Sequence, residues 1–203
     1  MKIICIGRNY AEHAKEMNAA VPTEPVFFLK PDTALIRDDQ PFYYPDFSQD
    51  VHHEVELVLK ICRPGKNIEE KFAHKYYDEI GIGIDFTARD IQAKCKEKGL
   101  PWEKAKAFDG SAPIGKFVDK KKLPAADNIA FHLDVNEKTV QLGNTKDLLF
   151  SFDTVISYVS KFFTLKTGDL IYTGTPEGVG PVKKGDRLDA YIGNEKLLSF
   201  EIK

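Results

Sequence analysis

Apolar and polar positions alternate strictly along the run His53-Glu-Val-Glu-Leu-Val-Leu. Strand geometry therefore puts Val55, Leu57, Leu59 and Ile61 on one face and Glu54 and Glu56 side by side on the other. The same period recurs in Gly81-Ile-Gly-Ile-Asp-Phe-Thr, with Ile80, Ile82, Ile84 and Phe86 on one face and Gly81, Gly83 and Asp85 on the other. Both apolar faces read as core. Short strands are predicted at 2–6 and 26–30, in pieces up to about residue 62, at 78–86, 113–118, 129–135 and 138–142, with a turn at Asn136-Glu137. Gly168-Asp169 and Gly185-Asp186 mark two further turns, each followed by a β-type run.

Helical patterns are fewer. Asn9 stands as the N-cap of a helix running to about Met17, with Glu12 in the capping-box position. Thr87 caps a second helix, with Asp90 three residues on, and Gly99 closes it. A third, at 152–163, carries Val155, Ile156, Val159 and Phe163 at helical spacing, a core stripe. Residues 64–79 are polar and lysine-rich, a surface turn and short helix. Residues 17–25, small and punctuated by proline, read as a mobile loop. The result is α+β and β-rich with a few short helices, not an alternating βαβ chain.

Composition narrows the function classes. At 203 residues the chain fits one domain, 1–203, with enough length to bury a core. A net charge of −2 with both signs interspersed and no basic tract argues against nucleic acid. Cys5, Cys62 and Cys95 are odd in number and form no Cys-x-x-Cys pair, which suits reduced cysteines in a cytoplasmic protein. No run approaches the roughly 20 apolar residues that cross a bilayer, and Met-Lys-Ile-Ile-Cys-Ile-Gly-Arg is too short for a signal peptide.

Several residues carry candidate chemistry. Like charges as close as Glu54 and Glu56 repel unless a cation lies between them, and an all-oxygen set with Asp85 suits a hard divalent ion. The same pattern also describes solvated edge-strand charges. His13 and Glu16, three apart on a helix, form either a general-base pair or a surface ion pair. Arg89 and Gln92 would aim a cation and an amide toward Asp85, or lie on an exposed helix face. Lys106, in the partly apolar stretch between Trp102 and Phe108, could have its pKa lowered or stabilise an oxyanion, but spacing alone does not choose it over Lys104. Thr173-Gly-Thr-Pro-Glu-Gly-Val-Gly could cradle an anion with its N–H groups; it is neither a P-loop nor a dinucleotide fingerprint. His52 and His53 are candidates to orient the carboxylates, and His74 and His132 read as structural.

Taken in order, Gly7-Arg-Asn-Tyr-Ala-Glu-His, His52-His-Glu-Val-Glu, Asp85-Phe-Thr-Ala-Arg-Asp, Lys98-Gly-Leu-Pro-Trp with Lys106, and Thr173-Gly-Thr-Pro-Glu-Gly-Val-Gly resemble the fumarylacetoacetate hydrolase family over about residues 3 to 200. The nearest branch is the short, single-domain acylpyruvate hydrolases and oxaloacetate decarboxylases. The resemblance implies a mixed β-roll or β-sandwich, a homodimer, and one Mg2+ or Mn2+ per subunit on Glu54, Glu56 and Asp85. It implies a catalytic Lys106 with the His13–Glu16 pair of the carbon–carbon hydrolysing members. It further implies substrate contacts from Arg8, Arg89, Gln92, Gly174 and Thr175, and a lid at 17–25. The substrate would be a short 2-oxo acid, either a 3-acylpyruvate hydrolysed by water that His13 activates or oxaloacetate losing CO2, both through a metal-stabilised pyruvate enolate. The alternatives are a 2-hydroxyhepta-2,4-dienedioate-type isomerase or 2-oxo-alkenoate hydratase, and a non-catalytic metal and 2-oxo-acid binding protein. The chain lacks the extra N-terminal domain of the founding hydrolase, and its Gly7-Arg8 segment begins near the N-terminus, so no targeting extension is expected.

Overall fold

The computed structural model describes residues 1–16 and 20–203. Among the described residues fifteen strands follow one another. They are β1 (Ile3–Gly7), β2 (Val26–Lys30), β3 (Leu35–Ile36), β4 (Val51–His53), β5 (Val55–Ile61), β6 (Tyr77–Ile84), β7 (Thr87–Ala88) and β8 (Ala112–Pro113). After them come β9 (Val118–Asp119), β10 (Ala130–Val135), β11 (Lys138–Asn144), β12 (Leu170–Tyr172), β13 (Gly180–Pro181), β14 (Arg187–Ile192) and β15 (Glu195–Glu201). The helices are α1 (Ala11–Glu16), α2 (Glu70–Ala73), α3 (Arg89–Lys98), α4 (Glu103–Lys106) and α5 (Phe152–Ser160).

A six-stranded sheet runs in the order β2-β1-β12-β5-β6-β9, and a four-stranded antiparallel sheet in the order β11-β10-β14-β15. Two small sheets, β13-β4-β7 and the parallel pair β3-β8, complete a mixed β-rich fold. Within the large sheet β1 and β12 are parallel and the other neighbours antiparallel. The strand predicted from alternation is therefore central, not an edge.

The two large sheets pack face to face. Val55, Leu57, Leu59 and Ile61 of β5 and Ile80, Ile82 and Ile84 of β6 meet Phe131, Leu133, Leu188, Ala190, Leu198 and Phe200 from the second sheet, with Val155, Ile156 and Val159 of α5 in the same core. Beyond the carboxylates, the other face of β5 and β6 is covered too, by a smaller cluster of Ile3, Cys5, Val58, Ala112, Ile114, Leu170 and Tyr172. Gly83 is required there, because a Cβ would stand 2.7 Å from the Tyr172 ring and 2.8 Å from the Pro113 carbonyl.

Four local expectations need correction. Asn9 does not cap α1; it is fully buried, donating to the Phe150 and Thr173 carbonyls at 3.0 and 2.8 Å and accepting from the Phe150 N–H at 2.8 Å. Thr87 lies in β7, and α3 begins after Ala88 with no side-chain cap. The strand expected at 113–118 is two short pieces, because Ile114, Gly115 and Lys116 donate to three different segments, at the Ile36, Ile82 and Leu197 carbonyls. The expected helix end at 163 moves to Ser160, whereas Gly99 closes α3 as read, at φ +62. Of the expected lid at 17–25, residues 17–19 lie outside the described residues; residues 20–24 form irregular chain and Pro25 is buried. Among the described residues no helix is long and apolar enough to cross a membrane.

Candidate active site

Pairing of β5 with β6 sets the three carboxylates side by side. Val55 is opposite Ile84 and Glu56 opposite Gly83, and the Asp85 N–H donates to the Glu54 carbonyl at 2.8 Å. One oxygen from each of Glu54, Glu56 and Asp85 falls within 4.8 Å of the others, and all three residues are buried. They are not solvated surface charges.

Cations surround two of the three. Lys106 Nζ lies 2.8 Å from Glu54 Oε2 and 2.8 Å from Asp85 Oδ2. Arg89 donates to Glu54 Oε1 at 2.6 Å and to Gln92 Oε1 at 2.8 Å, and Thr87 Oγ1 donates to Glu54 Oε1 at 3.0 Å. Lys30 Nζ is 2.7 Å from Asp85 Oδ1, an ion-pair approach off the line of a hydrogen bond. Its protons go instead to the Phe86 carbonyl and to the Ser111 carbonyl and hydroxyl. Glu56 differs. It accepts the Gly174 N–H at 2.7 Å, and among the described residues no cation forms an ion pair with it.

Ionisation follows these neighbours. Burial opposes the charge on Glu54, but the Lys106 ammonium and the Arg89 guanidinium, with His13, outweigh it and hold the carboxyl well below the usual range. Burial, then the Asp85 charge, push Glu56 well above it against the pull of the Gly174 N–H. Burial would lower Lys106, yet Asp85 and Glu54 hold it above its ordinary value. The donor set fits a hard divalent ion: three buried carboxylates, all oxygen, one of them short of positive charge.

The carboxylates form the floor of a small cleft that is open to solvent. Arg8, His13, Arg89, Gln92, Lys106 and Thr175 line it with them, so the residues singled out from the sequence converge on one site. Arg8 adopts the left-handed region at φ +59, unusual for a residue with a side chain. Gly174 reaches the site through its N–H on Glu56, and a Cβ at this φ +103 position would stand 2.6 Å from the Asn9 Cβ. Glu16 stands behind His13, with 3.2 Å between His13 Nδ1 and Glu16 Oε2, and its Oε1 accepts the Gly178 N–H at 3.2 Å. The Gly-rich loop thus cradles anions as expected, but they are the chain's own carboxylates.

His52 and His53 do not orient the acids. His52 Nε2 pairs with Asp50 at 2.9 Å and His53 Nδ1 with Gln141 at 2.9 Å. His132 stacks on Tyr191 at 4.4 Å. Sequence reasoning missed Lys30, Lys96 and Phe28. Lys30 had a signal, an ammonium closing the apolar run Val26-Phe-Phe-Leu before Pro31. Phe28 and Trp102 form an apolar wall beside Lys106, whose ammonium lies 5.1 Å from the Phe28 ring centre.

A model of the fumarylacetoacetate (FAA) hydrolase C-terminal family matches residues 2–201. The chain is 45% identical over 201 residues to an oxaloacetate tautomerase, FAHD1, mitochondrial, of Mus musculus, covering 99% of this chain and 91% of that one. It is 46% identical over 197 residues to the oxaloacetate tautomerase YcgM of Escherichia coli (strain K12), covering 97% and 90%. Among solved structures, fumarylpyruvate hydrolase from Pseudomonas aeruginosa, in complex with Mn2+ and pyruvate, superposes with a TM-score of 0.94 at 37% identity, covering 100% of this chain and 89% of that one.

Proposed function

Because the chain belongs to the fumarylacetoacetate hydrolase family, we propose that it is a divalent-metal enzyme that interconverts the enol and keto forms of a short 2-oxo dicarboxylic acid, oxaloacetate first. One observation carries this reading: three buried carboxylates sit on the floor of a small cleft whose walls present Arg8, Arg89 and Lys96, side chains suited to an anionic substrate. The two tautomerase relatives, at 45 and 46% identity, support the choice of reaction. They also move the weight of the reading, since tautomerisation breaks no carbon–carbon bond, whereas the sequence pointed to cleavage.

Glu54, Glu56 and Asp85 would hold the ion. Bound Mg2+ or Mn2+ would act as a Lewis acid toward the 2-oxo oxygen and ease loss of a proton from carbon 3. In the enol-to-keto direction the enol oxygen loses its proton and carbon 3 gains one; the keto-to-enol direction reverses both transfers. His13 is the group to carry the proton: Glu16 occupies Nδ1, which leaves Nε2 for the exchange. Lys106 keeps positive charge beside the carboxylates while oxygen becomes negative. Phe28 and Trp102 give the cleft an apolar wall on one side. The proposal includes a homodimer with one ion per subunit.

Hydrolysis of a 3-acylpyruvate is the second reading. The His13–Glu16 pair favours it, being able to take a proton from water, as does the likeness to a fumarylpyruvate hydrolase. One experiment separates them. The decay of enol-oxaloacetate absorbance and pyruvate release from acetylpyruvate and oxaloacetate are followed with Mg2+, Mn2+ or EDTA. Faster enol decay that EDTA abolishes, without pyruvate, supports tautomerisation. Pyruvate from acetylpyruvate supports hydrolysis, and neither activity with metal bound sinks both readings.

A further inference from the structure

Gln141 lies on β11, in the second sheet, yet all four of its side-chain hydrogen-bonding positions are used at the edge of the cleft. Oε1 accepts from the Val55 N–H at 3.0 Å and from His53 Nδ1 at 2.9 Å. Nε2 donates to the Pro176 carbonyl at 3.0 Å and to Thr175 Oγ1 at 2.9 Å. Two backbone groups make the amide's orientation unambiguous. The Val55 N–H can only donate and the Pro176 carbonyl can only accept, so a flipped amide would set donor against donor and acceptor against acceptor. Gln141 is 1% exposed, so water cannot relieve the mismatch.

The consequence falls on Thr175. Its oxygen accepts from Gln141, so its own proton must go elsewhere, and among the described residues no protein group takes it. Thr175 lines the cleft. We propose that Gln141 is a positioning residue that sets the Thr175 hydroxyl as a hydrogen-bond donor into the cleft, toward the carboxylate of a 2-oxo acid. A hydroxyl free to turn would present lone pairs to that anion part of the time; this one presents its proton. The same amide joins Val55, next to Glu54, to the loop whose Gly174 N–H holds Glu56. The inference deepens the proposed function and rests on it for the identity of the anion.

The test is calorimetric titration of pyruvate into Mn2+-saturated protein, which needs no turnover. Gln141→Glu keeps the acceptor that Val55 uses but replaces the donor facing Thr175 with an acceptor, so the hydroxyl turns inward. Pyruvate binding is expected to weaken about 10- to 100-fold, the worth of a hydrogen bond to a charged group. The introduced charge repels pyruvate whether or not the hydroxyl is present. The same substitution is therefore made in a Thr175→Val background, where the loss should be at least about fivefold smaller. Mn2+ binding should persist in every variant. Should Gln141→Glu fail to fold, Gln141→Met is carried through the same cycle; it frees the hydroxyl to turn without pulling it inward, so a smaller loss of pyruvate affinity is expected, again reduced in the Thr175→Val background. Unchanged pyruvate affinity, or an equal loss in both backgrounds, overturns the role of Gln141. A wild-type protein that takes up Mn2+ but not pyruvate overturns the substrate reading, and this inference with it.

Discussion

The Gly174 N–H donates to Glu56 Oε2 at 2.7 Å, so the carboxylate that has no ion-pair partner among the described residues is held by a backbone dipole, with Lys106 adding a weaker pull. In the metal-free protein that is too little positive charge, and Glu56 keeps its proton above the usual carboxyl range. The sign of the linkage follows. A carboxyl whose folded-state pKa is raised contributes stability below its unfolded pKa, and that contribution is lost as pH rises through the folded value. A divalent ion needs the ionised form, so binding expels the proton and tightens with pH in the same window. The rise in Tm on adding Mn2+ should therefore grow with pH from the ordinary carboxyl range upward. Glu56→Gln should remove both the pH-dependent growth and most of the Mn2+ effect. A Mn2+ shift independent of pH would count against Glu56 as a ligand.

Lys106 neutralises Glu54 and Asp85 at once, at 2.8 Å to each, and all three residues are buried. Removing one partner from such a cluster leaves buried charge uncompensated, at a cost of about 3–5 kcal/mol. Lys106→Met should lower the Tm of the metal-free protein accordingly, and Mn2+ should restore more of it than in the wild type. Enol decay should slow by about 10²- to 10³-fold, as when an electrostatic donor is taken from a transition state. Thermal melts with and without Mn2+, paired with the rate, check both halves. Full activity in a folded Lys106→Met protein would remove this lysine from the mechanism.

The carboxylate pair was legible because alternation at 54–61 and 80–86 is a local, period-two signal with core on one face. The helix starts were not. Asn9 and Thr87 have the residue types of N-caps, but Asn9 spends its amide on groups 141 and 164 residues away, and Thr87 its hydroxyl on Glu54. Long-range hydrogen bonds overrode local propensity. The roles of Lys30 and Gln141 could not be read locally for the same reason. What makes Lys30 matter is Asp85 on another segment, and what makes Gln141 matter is His53, 88 residues away. Lys106 emerged only through the family resemblance, since spacing could not separate it from Lys104.

His13 is buried against the cleft, with Glu16 on Nδ1. A group that carries a proton but does not hold substrate affects kcat and leaves KM nearly alone. His13→Ala should lower kcat for enol decay, and for any acylpyruvate hydrolysis, by about 10²- to 10⁴-fold. Glu16→Gln should fall between it and the wild type, because the glutamine oxygen can still accept from Nδ1. Steady-state kinetics on both substrates decides. A raised KM with kcat intact would make His13 part of the wall and not the proton carrier.

Arg8 lines the cleft from a backbone at φ +59. Left-handed backbone costs an L-residue roughly 1–2 kcal/mol, and a glycine escapes that cost. The strain falls on a cleft-lining arginine, where backbone strain is expected to persist only if the side chain is used, and that can be tested. Arg8→Ala and Arg8→Gly lose the same guanidinium, so both should raise KM for oxaloacetate by a similar factor. They differ in strain: Arg8→Gly should be the more stable of the two by about 1 kcal/mol, less the entropy that glycine adds to the unfolded chain. Denaturant melts and kinetics on the pair separate the two contributions. A glycine variant that is no more stable would mean the turn is not strained. A KM that stays put in both would mean that the guanidinium does not meet the substrate.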